Sequence, residues 1–295
     1  MDLVLLAVAA VWGGVTGLLI PRAAYRFAVE PEEPWRTACP SGHAFTGPLG
    51  GWLGPARCAA CASRAQTAVP PYGDESEAPV PPYGDERVAP VPTSGDEPEA
   101  PAPTSGGDRP APAPVPYAPG ILAPLVTVLA CTVLAAATGA RPELVGWLLL
   151  APVAVLLATV DRRVHRLPDP LTLPLAAAAV LLLGGAALLP GHAGSWTSAL
   201  LGGPALGGFY FLLFLINPNG MGFGDVKLAL ALGVALGWYG WEVLFLGGFA
   251  GFLFGAAYGL GLVLLRRAGR RTGIPFGPFM IAGALTGILL GALAA

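Results

Sequence analysis

The sequence predicts an all-α polytopic membrane protein with about eight transmembrane helices, a small cytosolic insert and a disordered proline-rich linker. The 295 residues are 54% hydrophobic and only 12% charged, whereas soluble domains are about one-quarter charged. From Gly120 to the C-terminus, five residues are acidic. The net charge of -2 gives no indication of nucleic-acid binding.

Eight apolar segments account for the expected helices, and most approach the roughly 20 residues needed to cross a membrane. The first follows Asp2 without a basic region before it, which favours a retained helix over a cleaved signal peptide. The sixth segment is the shortest. In order, the segments are Leu3–Ile20, Ile121–Ala137, Leu144–Val160, Leu171–Leu189, Ala199–Ile216, Leu228–Trp238, Val243–Leu265 and Phe276–Leu293.

The basic residues predict the orientation, because cytosolic loops are enriched in Lys and Arg. With the N-terminus outside, every Lys and Arg except Arg141 falls on the cytosolic side. The short-loop clusters at 162–166 and 266–271 agree with this arrangement. The protein is therefore expected to be multi-pass with both termini outside.

The loop after the first segment has two parts. Residues 1–21 form the expected first helix, and 22–66 form a small folded insert in the cytosol. Residues 67–117 repeat an 11-residue pattern that begins "VPPYGDESEAP". Such proline, glycine and acidic content predicts an extended disordered linker. A docking site for a proline-binding partner is the alternative.

Three cysteines and one histidine in the insert have the spacing of a metal site. Cys39 and His43 belong to "CPSGH", and Cys58 and Cys61 belong to "CAAC". Two ligand pairs on short turns suit tetrahedral zinc, and a cytosolic loop disfavours disulfides. The sequence therefore predicts a structural zinc site. The alternative is three unligated thiols and a surface histidine.

Two aspartates are placed to act together. Asp161 ends the third apolar segment, Asp225 precedes the sixth, and the expected orientation puts both at the cytosolic membrane edge. An ionisable group beside a membrane segment indicates function. Two carboxylates at one partly dry site do not both ionise readily, so one can act as general base while its protonated partner acts as acid. This is aspartic protease chemistry. The alternative is two acids that merely face water.

The residues around Asp225 are expected to support it. Gly222 and Gly224 remove side chains beside the carboxylate and permit unusual dihedrals, which would allow an extended peptide to approach. Alternatively, these two glycines form a turn or allow two helices to pack closely. Lys227 is either a supporting residue or a lysine that reaches the membrane interface. Asp169, between two prolines, is expected to cap a helix or form a turn.

Three motifs resemble the type IV prepilin peptidases, the bacterial branch of the GxGD aspartyl proteases. They are "VDRRVHRLPDPLTLP", "GFGDVKLALALG" and "IPFGPFMIAG", and they lie in the family's order across the second half of the chain. The resemblance implies a membrane-embedded peptidase domain at 118–295, with Asp161 and Asp225 as the catalytic pair. The supporting or substrate-binding positions are then Gly222, Gly224, Lys227, Asp169, Pro275, Gly277 and Pro278.

The same resemblance implies a substrate class. Type IV prepilins and pseudopilins carry a short basic leader ending in glycine, which is cut on the cytosolic side before the apolar pilin helix. The implied location is the bacterial inner membrane, and peptide cleavage by two carboxyl groups needs no cofactor.

The N-terminal third departs from the family pattern. Full-length members have a Gly-Ser-Phe-x-Asn-Val stretch, whereas this chain has "GLLIPRAAYRF", with Leu18 and Pro21 near the serine and asparagine places. The "CPSGH" stretch resembles Cys-Pro-x-Cys-Gly-His with one cysteine lost. Many members also methylate the new pilin N-terminus with S-adenosylmethionine. These departures predict cleavage without methylation, and no S-adenosylmethionine cofactor.

Two other functions compete with a peptidase. A proton-coupled transporter could use two membrane aspartates as a proton relay, but it would more often place them near the midplane with repeat symmetry between halves. No such repeat is evident here. A structural subunit of a secretion system would not need glycines beside an acid.

Overall fold

The computed structural model describes residues 3–30, 33–54, 58, 60–61, 120–218, 220–265 and 275–295. The chain divides into two compact units. The first consists of Met1–Cys58 and Pro116–Ala295, and the second consists of Ala59–Val115. Of the second unit, only Ala60 and Cys61 are described. The predicted linker at 67–117 and the arginine cluster at 266–271 fall outside the described residues.

Helices make up almost all regular structure in the described residues, and the predicted all-α fold is confirmed. No strand occurs among them, and a single isolated bridge pairs Ala38 with Ala44. The helices are α1 (Leu3–Phe27), α2 (Pro48–Gly51), α3 (Leu122–Thr138), α4 (Glu143–Val164), α5 (Asp169–Ala187), α6 (Trp196–Ile216), α7 (Phe223–Gly237), α8 (Trp241–Leu264) and α9 (Gly277–Ala294).

All eight predicted apolar segments are helical. Six helices are long and apolar enough to cross a membrane by length and composition: α1, α4, α5, α6, α8 and α9. The α3 helix is shorter, with 17 residues, and α7 has 15. Of the 15 residues of α7, 11 are buried. This short helix, which contains Asp225, is therefore enclosed by the others.

Glycines let α6 and α7 pack with their backbones in contact. A Cβ at Gly233 would overlap the carbonyl oxygen of Gly202, and one at Gly237 would lie 2.6 Å from the carbonyl oxygen of Ser198. Small residues at such crossings allow the close approach that drives helix association in membranes. The position of α7, and hence of Asp225, is set by this tight contact.

The first helix extends beyond the predicted boundary at residue 21. It continues through Pro21 to Phe27, so that Arg22 and Arg26 belong to the helix and are buried. Arg22 donates to the carbonyl oxygen of Thr46 at 2.8 Å, and the Arg26 guanidinium lies 3.8 Å from the centre of the Trp52 ring. Residues 33–54 of the insert are thus packed on the end of α1.

Candidate active site

A cavity of about 720 Å³ lies where α4 ends and where α5 and α7 begin. Asp161 and Asp225 both line it, although 64 positions separate them in sequence. Both side chains are buried, with 4% and 7% of their surface exposed. The structure therefore brings the two predicted carboxylates to one site.

Asp161 is held from the far end of the sequence. Its Oδ2 atom accepts a hydrogen bond from the backbone N–H of Gly277 at 2.9 Å, and Gly277 is the first residue of α9. A Cβ at Gly277 would lie 2.9 Å from that same oxygen. Glycine at this position therefore leaves room for the backbone to approach the carboxylate. Pro275 lines the same cavity, whereas Pro278 lines a second cavity elsewhere in the bundle.

Asp225 is held by the start of its own helix. Gly222 precedes the first residue of α7, and its backbone N–H donates to Asp225 Oδ2 at 3.2 Å. An acidic residue in the first turn satisfies an N–H group that has no partner inside the helix. Local sequence thus determines the orientation of this carboxylate, whereas Asp161 depends on a tertiary contact.

Neither neighbouring glycine has an unusual dihedral, and only Gly224 allows a close packing contact. Gly222 is extended, with φ of -74° and ψ of 145°, and neither Gly222 nor Gly224 has a positive φ. A Cβ at Gly224 would lie 2.9 Å from Cβ of Leu167, in the loop that follows α4. The expected dihedral role is therefore not found. Gly224 lets the first turn of α7 sit against the loop beside Asp161.

The two carboxylates have the same kind of hydrogen-bond support. Each carboxylate has one oxygen held by a backbone N–H, and within the described residues neither Oδ1 atom has a hydrogen-bond partner. The two groups are close enough to interact electrostatically. Burial disfavours two negative charges at one site, so a shared proton would leave one base and one acid.

Residues 148–260 match the type IV leader peptidase family. The matched region contains both aspartates, and the predicted resemblance is confirmed. The chain is 40% identical over 147 residues to the prepilin leader peptidase/N-methyltransferase of Aeromonas salmonicida, covering 47% of this chain and 48% of that protein. The protein of the same name from Pseudomonas aeruginosa is 37% identical over 149 residues, which cover 48% of this chain and 46% of that protein. The one from Bacillus subtilis is 38% identical over 99 residues, which cover 33% of this chain and 38% of that protein.

The chain thus spans about half the length of the first curated relatives that it matches. No solved structure matches it significantly. The similarity to the leader peptidases consequently concerns a part of each protein, and that part includes the two aspartates and the α4, α5 and α7 residues that line their cavity.

Two further residues of the matched region form an ion pair beside the cavity that holds Asp161 and Asp225. Lys227 Nζ lies 2.6 Å from Asp169 Oδ1, and the same ammonium lies 5.0 Å from the centre of the Phe223 ring. Asp169 is the first residue of α5, and no side chain caps that helix. The expected capping role of Asp169 is therefore not found. Its side chain joins the start of α5 to the first turns of α7.

Sequence reasoning missed the contribution of the segment after α1. Glu30, Glu33 and Trp35 line the cavity that holds the two aspartates. Both glutamates are exposed, and within the described residues the one ion pair is that of Lys227 with Asp169. The cluster of glutamates at 30–33 is visible in the sequence, but only the folded chain shows which cavity it borders.

The predicted zinc ligands of the first unit lie together. The ligand atoms of Cys39, His43 and Cys58 are within 4.8 Å of one another, and Cys39 Sγ lies 3.5 Å from His43 Nδ1. A tight turn brings the first two close, since the Cys39 N–H donates to the His43 carbonyl oxygen at 2.9 Å. Cys61 belongs to the second unit and is half-buried. Thiolate and imidazole are the donors that zinc prefers.

Proposed function

We propose that this chain is a membrane aspartic endopeptidase that removes the leader of type IV prepilins or pseudopilins. The observation that carries the proposal is the shared cavity of Asp161 and Asp225, two residues that both lie inside the region that matches the leader peptidases. The relatives named above are prepilin leader peptidases, which makes pilin precursors the substrate class to test first. A proton-coupled transporter is not favoured by this family match.

The proposed reaction uses the two carboxyl groups in turn. The ionised one takes a proton from water, which attacks the scissile carbonyl, while the protonated one donates to the carbonyl oxygen. Collapse of the tetrahedral intermediate breaks the peptide bond, and a carboxyl group returns a proton to the leaving amine. The N–H groups of Gly277 and Gly222 would hold one oxygen of each carboxylate and leave the other for water and substrate.

Two acidic residues on the rim of the cavity suit a basic leader, although Arg166 and the paired Lys227 line the same space. Glu30 and Glu33 are exposed and border the same space as the aspartates. A cationic peptide near them would gain favourable electrostatic interactions, which act mainly on association and orientation. We infer that the leader lies across this acidic rim while the apolar part of the substrate stays in the membrane.

Substitution of each aspartate tests the proposal. Asp161→Asn and Asp225→Asn should each abolish leader cleavage of a co-expressed prepilin, because loss of either carboxyl group removes the division between acid and base. The mutant proteins should remain inserted and expressed. Full cleavage by either variant would contradict the assignment. Mass spectrometry of the pilin N-terminus measures the outcome and identifies the cleaved bond.

The proposed location is the bacterial inner membrane, with the N-terminus outside and the catalytic cavity at the cytosolic face. Its support is the distribution of Lys and Arg in the sequence. A reporter fused at Gly107 or Arg270 should read cytosolic, and one at His192 should read external. A cytosolic reading at His192 would contradict this orientation.

We also propose a structural zinc site in the insert. Cys39, His43 and Cys58 supply three neighbouring ligands. Cys61 is the natural fourth, because a Cys-x-x-Cys spacing places two thiolates on one ion. Zinc there would hold the insert folded and take no part in peptide cleavage.

A further inference from the structure

A second cavity, of about 540 Å³, enters the helix bundle between α1, α3, α4, α5, α7 and α9. It shares no lining residue with the catalytic cavity. The lining is almost entirely apolar, and among the described residues its only charged members are Arg162 and Arg163. The hydroxyl of Thr159 already donates to the carbonyl oxygen of Val155 at 2.7 Å. The interior therefore suits a hydrocarbon ligand.

The two arginines lie at one end of this cavity. The α3 and α4 helices form a hairpin joined by residues 139–142, so the start of α3 and the end of α4 share one end of the bundle. Leu122 and Ala123, at the start of α3, line the cavity beside that end. The other lining residues of α4 reach back to Trp147, which is about 22 Å from Arg162 at 1.5 Å per residue.

Positive charge at this end has no ion-pair partner in the described part of the chain. No carboxylate there lies within 4.0 Å of either guanidinium, since the one ion pair is Lys227 with Asp169. The α3 helix begins without a side-chain cap and without an acid in its first turn, so its N–H groups add partial positive charge. Arg36 lies close enough to Arg163 to repel it. An anion at this position would relieve that repulsion.

We propose that this cavity binds an anionic phospholipid, with the phosphate at Arg162 and Arg163 and one acyl chain inside. Basic pockets between membrane helices favour anionic headgroups. The apolar length of about 22 Å exceeds the roughly 15 Å that one leaflet contributes to the hydrocarbon core, so a full acyl chain fits. The arginines would repel a basic leader, and free phosphate would leave the apolar interior unfilled.

The occupied cavity would join the two helices that hold the aspartates. Ala158 lines it from α4, one turn before Asp161, and Ala231 and Leu232 line it from α7. An acyl chain between these helices would fill space that no side chain occupies. The inference does not depend on the proposed peptidase activity, because it concerns a separate cavity and a different ligand.

Lipid binding by the full-length protein tests the proposal. Purified protein in detergent is titrated with phosphatidylglycerol or phosphatidylcholine of identical acyl chains, and retained lipid is counted by native mass spectrometry. Phosphatidylglycerol should bind at least about tenfold more tightly, since each basic residue contributes to attraction of anionic lipid. The Arg162→Gln, Arg163→Gln double variant should lose this preference. Arg166→Gln is the matched control, because Arg166 is exposed in the same basic stretch but does not line this cavity.

A second pair of variants tests the apolar interior. Ala154→Phe places a large side chain in the cavity and should weaken phosphatidylglycerol binding, whereas Ala257→Phe on the exposed face of α8 should not. Equal binding of both lipids, or equal loss in Arg166→Gln, would overturn the proposal. Full competition by inorganic phosphate would identify a simple anion site instead. Altered prepilin cleavage in Ala154→Phe with unchanged lipid binding would assign the cavity to the substrate's apolar helix.

Discussion

Asp161 accepts a hydrogen bond at 2.9 Å from the backbone N–H of Gly277, which lies 116 residues later in the sequence. This bond joins the end of α4 to the start of α9 and so connects the first and third sequence motifs. The third motif therefore has a direct structural relationship to one member of the proposed catalytic pair. Among the described residues, Asp225 has no such distant hydrogen-bond donor, and the N–H of Gly222, three residues earlier, holds it instead.

Gly277→Ala should reduce leader cleavage by about 100-fold, because a displacement of about 1 Å in a catalytic group has an effect of that size. The new Cβ would lie 2.9 Å from Asp161 Oδ2 and would push the carboxylate away. Gly185→Ala is the control, since a Cβ there meets nothing within 4 Å. Cleavage rates are measured on purified proteins at equal concentration. Wild-type activity in Gly277→Ala would show that the contact is not needed.

The Lys227–Asp169 pair should matter more for activity than for stability. Its side chains are 20% and 58% exposed, and exposed ion pairs contribute only about 0–1 kcal/mol to folding. The pair nevertheless joins α5 to the helix that holds Asp225. Lys227→Gln should therefore lower kcat several-fold with little change in Tm, and Asp169→Asn should be milder.

Exchange of the two charges separates a pairing role from a role of either residue alone. The Asp169→Lys, Lys227→Asp double variant should recover part of the kcat lost in Lys227→Gln, because it restores an attractive pair. A double variant no better than the single one would assign Lys227 a direct interaction with substrate. Loss of activity in Asp169→Asn at normal expression would assign Asp169 a direct interaction with substrate as well.

Reversal of the acidic rim should weaken recognition of a basic leader. Glu30→Lys with Glu33→Lys is expected to raise KM at least several-fold and to leave kcat little changed, because rim charges act mainly on encounter. Added salt should reduce the difference from wild type. A substrate with its basic leader residues replaced by glutamine is the matched control and should be insensitive to the double variant. An equal effect on both substrates would contradict the proposed role.

The insert should contain about one zinc per chain if its four candidate ligands form a structural site. The Cys58→Ser, Cys61→Ser double variant should lose that metal, whereas Cys131→Ala should keep it, because Cys131 is buried in α3 away from the insert. The zinc content of the purified wild-type protein and of both variants is measured. Metal-free wild-type protein would leave the insert to be held by packing such as that of Arg26 on Trp52.

Much of this architecture could be predicted from the sequence because membrane helices are long and locally encoded. Hydrophobic length alone located all eight apolar helices. The extension of α1 to Phe27 could not be predicted in this way, because it rests on tertiary contacts of Arg22 and Arg26 with the insert. The position of Glu30 at the cavity was likewise hidden, and the family resemblance named Gly277 as a supporting residue without indicating its contact with Asp161. Each depends on which distant segments meet at one end of the bundle, and no periodicity encodes that.

Methylation of the mature pilin provides the last prediction, and we expect this chain to cleave without methylating. The relatives are named prepilin leader peptidase/N-methyltransferase, but the alignment with the Aeromonas salmonicida protein covers 47% of this chain. Leu18 and Pro21 stand near polar positions of the family pattern, and neither side chain can donate a hydrogen bond. Pro21 also lacks a backbone N–H. Leu18 is 62% exposed on α1, so a leucine there offers only apolar surface.

Intact mass of the mature pilin measures this outcome, since one added methyl group raises the mass by about 14 Da. The pilin is produced in a strain whose sole prepilin peptidase is this protein, with Asp225→Asn as the control that should leave the leader attached. We expect the cleaved pilin at its unmodified mass. A gain of about 14 Da at its N-terminal residue, dependent on this protein, would show that the altered α1 stretch still supports methyl transfer. Leu18 and Pro21 would then be compatible with a binding site for S-adenosylmethionine.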